Sequence, residues 1–137
     1  MRPRRGQGVS TNLTGIWQGL YSYPEAFDPV SFTATLIESG KWVSGSIHET
    51  AMDEDYIPVD VYATLMGSRD NRQVAFTKTY DGTSDWSHAV RYEGVLNDDF
   101  TELEGRWSIP GVWSGKFLMI RPEGRRAGIL RAAFESV

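Results

Sequence analysis

The chain has 137 residues, a net charge of -4, 40% hydrophobic and 23% charged residues, and no cysteine. That length suits one domain with its own core. The composition is that of a soluble globular protein, without an apolar run of membrane-spanning length. Disulfides, thiol nucleophiles and thiolate metal sites are excluded, and the acidic balance argues against a general nucleic-acid binder; no membrane partner is expected.

Residues 1–12 carry Arg2, Arg4 and Arg5 and read as a flexible basic arm. No apolar stretch follows these charges, so they do not resemble a secretory signal, and a cytoplasmic location is expected. The first strong pattern is TGIWQGLYSYP, Thr14 to Pro24. Strand alternation puts Trp17, Gly19, Tyr21 and Tyr23 on one face. Aromatic residues with polar tips on an inward face call for hydrogen-bond partners, which suggests a polar-lined cavity.

The turn PEAFDP leads to an alternating strand from Val30 to Glu38, and ESGK turns the chain into a strand from Trp42 to Glu49. After the acidic loop TAMDEDYIP, strands are predicted over Val59 to Arg69 and Gln73 to Tyr80, the second aligning Val74, Phe76, Lys78 and Tyr80. DGTSDW separates these from Ser87 to Leu96, which aligns His88, Val90 and Tyr92. Glu102 to Ile109, with Trp107 inward, and Trp113 to Arg121 complete the pattern. The expectation is all-β: a single antiparallel up-and-down β-barrel of about eight strands over residues 13–121, large enough for one small ligand. An all-β sandwich is the alternative. Residues 122–137 place Ile129, Leu130, Ala133 and Phe134 at helical spacing and are expected to form a short helix or tail.

In an up-and-down barrel the connections alternate between two ends. The longer set should rim the mouth. That set contains Glu25, Asp28, Asp53, Glu54, Asp55, Asp81 and Asp85, with no lysine or arginine, so the mouth is expected to favour neutral or cationic ligands. Below it the register converges Tyr21, Tyr23, Glu49, Lys78, Tyr80, His88, Tyr92 and Trp113, with Trp107 as a deeper wall. These aromatic walls with a few polar groups suit a small-molecule site. A self-satisfied network of Glu49, Lys78 and tyrosine hydroxyls that fills the interior is the competing arrangement. At the other end Trp17 and Arg121 become neighbours on closure, and a guanidinium over the indole would seal the base.

TGIW at the first strand, the arginine of FLMIR at the last, Trp107 within GRWS and the SGS run around Gly45 together resemble the calycin superfamily of lipocalins, fatty-acid-binding proteins and avidins. The resemblance implies a structural role for Trp17 and Arg121. Ile47 and Glu49 stand where avidins place biotin-binding polar residues, so it does not imply biotin. The tyrosine-any-tyrosine pair Tyr21 and Tyr23, with inward Glu49, is also similar to calycin-type phenolic acid decarboxylases, which implies proton transfer by these three residues as an enzymatic alternative.

The expected function is non-covalent binding of a neutral or cationic, partly aromatic small molecule. The alternatives are a decarboxylase- or isomerase-like enzyme and an interaction barrel with a filled interior. No cofactor motif is found, and no metal site is expected because His48 and His88 fall on opposite faces. The partly apolar outer face of the last strand, with Leu118 and Ile120, is a candidate homo-oligomer contact.

Overall fold

The computed structural model describes residues 12–24, 28–81 and 89–121. The arginines of the basic arm, the predicted C-terminal helix or tail and His88 lie outside the described residues. Eight strands follow one another: β1 (Gly15–Tyr21), β2 (Val30–Ser39), β3 (Trp42–Met52), β4 (Pro58–Asp70), β5 (Gln73–Tyr80), β6 (Ala89–Leu96), β7 (Glu102–Ile109) and β8 (Trp113–Ile120). Each pairs antiparallel with the next, and β8 returns to β1, giving a closed up-and-down barrel. There is no helix among the described residues, and closure leaves no exposed sheet edge along the barrel wall.

Period-two alternation governs which residues fill the barrel. In β5, Val74, Phe76, Lys78 and Tyr80 are buried in turn. Curvature needs close strand approach at particular points. A Cβ on Gly105 would lie 1.9 Å from the Glu93 carbonyl oxygen, and one on Gly115 would lie 2.0 Å from that of Ser22, so only glycine fits at either bend.

The β3–β4 hairpin is longer than its sequence pattern suggested. Thr50, Ala51 and Met52 pair with Asp60, Val59 and Pro58, beyond the reach of β2, whose ladder ends at Phe32 opposite Glu49. The hairpin thus overhangs the barrel wall. Its tip is held by Asp53, whose Oδ1 accepts the amides of Asp55 and Ile57 at 2.8 and 2.9 Å.

One end is sealed. The Trp17 indole donates to the Leu13 carbonyl at 2.9 Å, and the Arg121 guanidinium lies 4.8 Å above the Trp17 ring and donates to the Asn12 carbonyl. Beside them Glu38 accepts the Leu13 amide and pairs with Arg69 at 2.9 Å, while Arg69 covers Phe100.

The seam between β1 and β8 has four register pairs, Gln18 to Tyr21 against Ile120 to Phe117. On its outer side Leu20 faces Leu118, with Ile120 beyond. All three are buried although they point away from the barrel interior.

Candidate functional site

The opposite end holds a cavity of about 450 Å³ lined by Tyr21, Tyr23, Lys78, Tyr80, Val90, Tyr92, Trp107, Ile109, Val112 and Trp113. β1 supplies Tyr21 from its last position, and the chain just beyond carries Tyr23. β5 supplies Lys78 and Tyr80, while β6 to β8 supply the remaining wall. These positions adjoin because the strands are wound in sequence order, so the ends of β1, β5 and β7 and the starts of β6 and β8 open at the same rim.

The outer wall is aromatic. Tyr23 packs against Trp113 with ring centroids 4.9 Å apart and edge-on to Trp107 at 5.6 Å. The Trp107 indole donates to the Ser22 carbonyl at 2.8 Å, which satisfies its N–H and fixes the ring. Deeper in, Tyr92 stacks on Phe76 at 4.9 Å and meets Phe117 edge-on. This floor is well packed.

At the inner end lies a buried polar network. Glu49 accepts from the Tyr21 hydroxyl at 2.7 Å, from Lys78 Nζ at 3.1 Å and from the Tyr80 hydroxyl at 3.3 Å. Lys78 Nζ also lies 4.5, 4.8 and 5.3 Å from the ring centroids of Tyr80, Tyr21 and Tyr92. Side-chain exposure of the Lys78–Glu49 pair is 1% and 3%. A buried carboxylate is tolerable only with such partners, and the ammonium is held by one anion and three π faces.

Burial dominates the titration of these groups. It pushes the Tyr21 phenol far up, and the neighbouring Glu49 charge adds to this. Tyr80 is raised for the same two reasons in the same order. Tyr92 is raised well above an ordinary phenol, first by burial and then by Tyr80 and Glu49. Burial lowers Lys78, whereas Glu49 pulls it back up. The tyrosines are therefore neutral hydrogen-bonding groups, and the ion pair adds no net charge to the chamber.

The structure brings Tyr21, Tyr23, Lys78, Tyr80, Tyr92, Trp107 and Trp113 to one cavity wall. Glu49 is not part of that wall; it sits behind it, bonded to Tyr21, Lys78 and Tyr80. The Glu49–Lys78–tyrosine network and a cavity thus coexist, although the sequence reading set them against each other. Of the proton-transfer trio, Tyr21 and Glu49 are joined, while the Tyr23 ring belongs to the tryptophan wall. Sequence reasoning did not assign Val90, Ile109 or Val112 to the site. Alternation with Tyr92 and Trp107 places the first two on the inward face. Val112 lies in the β7–β8 turn, where no periodic signal exists.

The described mouth segments carry Asp28, Asp53, Glu54, Asp55 and Asp81, without a lysine or arginine among them. Glu25 and Asp85 lie outside the described residues. The only histidine in the described part, His48, is on the outer wall, 2.9 Å from Asp60 and against Tyr62. No known family profile, curated protein or solved structure matches this chain.

Proposed function

We propose that this protein is a small-molecule binding protein of calycin type that holds a neutral, partly aromatic ligand in the barrel cavity. The observation that carries this reading is the aromatic cavity of about 450 Å³ ending in a charge-neutral polar cluster. Its volume lies within the roughly 300–1,000 Å³ usual for ligand pockets. Tyr23, Trp107 and Trp113 offer flat surfaces for a ring. Glu49 occupies one N–H of Lys78, so the ammonium has further donors for a carbonyl, ether or heteroaromatic acceptor on the ligand.

Charge supports the same class of ligand. An anion would have to pass the acidic mouth, and a cation at the inner end would compete with Lys78 for Glu49. A cationic group is accommodated only near the rim, where the carboxylates are.

Titration of intrinsic tryptophan fluorescence with a panel of neutral aromatic compounds, alongside native mass spectrometry of the purified protein, tests the reading. Saturable quenching is expected. Trp113→Ala should weaken it about tenfold, corresponding to about 1.4 kcal/mol, with the folded circular dichroism spectrum retained. A protein that carries no small molecule and responds to none of the panel would remove the binding reading.

A further inference from the structure

We propose that Lys78 is a covalent capture site, condensing through Nζ with an aromatic aldehyde or ketone in the cavity to form an imine. This rests on the reading above that the cavity admits a small molecule. It specifies the functional group of that molecule.

The chain has three lysines. Lys41 and Lys116 are exposed on the outer surface, whereas Lys78 is buried on an inward face and lines the cavity. Its Nζ is enclosed by the rings of Tyr21, Tyr80 and Tyr92, each of which lines the same cavity. A carbonyl group that reaches the inner end comes against the side chain of Lys78, one of the residues that line the cavity. The aromatic walls on the way in favour a conjugated substituent.

The site also suits the product. Glu49 and three π faces stabilise a positive charge at Nζ, and a protonated imine carries the same charge at the same atom. Lysine amines become nucleophiles when desolvated, and burial lowers the proton affinity of Lys78 in that direction.

The step balances without an oxidant or reductant. Nζ transfers a proton to Glu49 Oε2, 3.1 Å away, and its freed lone pair attacks the carbonyl carbon. A C–N bond forms as the carbonyl π pair moves to oxygen, which takes the proton back from Glu49. The nitrogen of this carbinolamine then loses a second proton to Glu49. Its lone pair forms the C=N bond as the hydroxyl departs with that proton as water. The net change is ammonium plus carbonyl to protonated imine plus water, with Glu49 again a carboxylate.

The full-length protein is incubated with benzaldehyde, reduced with sodium cyanoborohydride and analysed by intact mass and peptide mapping. The expected result is one benzyl adduct on Lys78, with Lys41 and Lys116 at background. Glu49→Gln should slow labelling by about a hundredfold. Prior addition of toluene, which has no carbonyl, should protect Lys78 in the unsubstituted protein, so the assignment does not depend on any variant folding. Saturable fluorescence quenching by benzaldehyde with Lys78 unmodified would overturn covalent capture and leave the binding reading intact. Labelling confined to Lys41 and Lys116 without saturable quenching would overturn both.

Discussion

Removing one member of the Glu49–Lys78 pair should destabilise the protein far more than removing both. Lys78→Met leaves the Glu49 carboxylate with the hydroxyls of Tyr21 and Tyr80 but no cation. Loss of one partner of a buried pair typically costs about 3–5 kcal/mol, and the two remaining donors place this case near the lower figure. Glu49→Gln leaves the Lys78 charge with a neutral amide oxygen and aromatic faces, the latter each worth about 0.5–2 kcal/mol, but no counter-charge, and a comparable loss is expected. In the double variant neither charge remains. The amide oxygen introduced at position 49 still accepts from Tyr21, and the net change should be within about 1 kcal/mol of the parent.

The coupling between the two sites should therefore exceed about 2 kcal/mol. Stabilities of about 5–15 kcal/mol are usual for a domain, so the single variants should remain measurable. Urea unfolding followed by tryptophan fluorescence for all four proteins reads the cycle directly, with equal m-values as the check on two-state behaviour. If the double variant loses the sum of the two single losses, Glu49 and Lys78 act independently. The inner end would then not be held by a coupled ion pair.

Two further outcomes follow from the same packing. Gly115→Ala puts a methyl group 2.0 Å from the Ser22 carbonyl oxygen and 2.6 Å from Trp107 Nε1; overpacking of this kind costs about 1–3 kcal/mol, and the lowered urea midpoint should come with altered tryptophan emission as the indole leaves its carbonyl. In alkali, Tyr21, Tyr80 and Tyr92 have folded values raised above the ordinary 10.0, so the folded state holds more protons than the unfolded chain above that pH. Their contribution is fully present below 10.0 and is lost as pH climbs through the folded values. Lys78, lowered from 10.5, acts in the opposite sense, adding stability as pH rises from its folded value to that of the free side chain. Once both unfolded-state values are passed, three tyrosines prevail, and their phenolate absorbance should appear together with cooperative unfolding. Smooth titration of all tyrosines in a folded protein would contradict the burial described.

The barrel was legible because its strands alternate cleanly and its turns are marked. Lys78 and Glu49 could be placed inward by counting alone, since a period of two leaves no ambiguity once the neighbouring Phe76 and Ile47 are assigned to the core. The overhang of the β3–β4 hairpin was less readable. Pro58 suggested the end of a loop, yet a proline can begin a strand because no ladder hydrogen bond is required of its nitrogen there. The same limit applies to the cavity. Alternation tells which side chains face inward, but whether their summed volume fills the space depends on ring orientations. The Trp107 indole, turned by its bond to the Ser22 carbonyl, is one that no local pattern specifies.

The narrow seam where the last strand rejoins the first has a consequence for how the molecule comes into being. The contact that locks it, Arg121 to Asn12, spans 109 positions of sequence, whereas the other seams join strands adjacent along the chain. Local hairpins can zip while synthesis is under way, but β1 has one of its two neighbours missing until nearly all of the described chain exists. Closures this distant are slow because the loop entropy must be overcome before any contact repays it. β1, made before the other seven strands of the barrel, is thus the last to be fully enclosed, and until then Trp17 lacks the arginine that covers it. A nascent chain at that stage is an open sheet with two unpaired edges, the form in which it is most exposed to association with other chains.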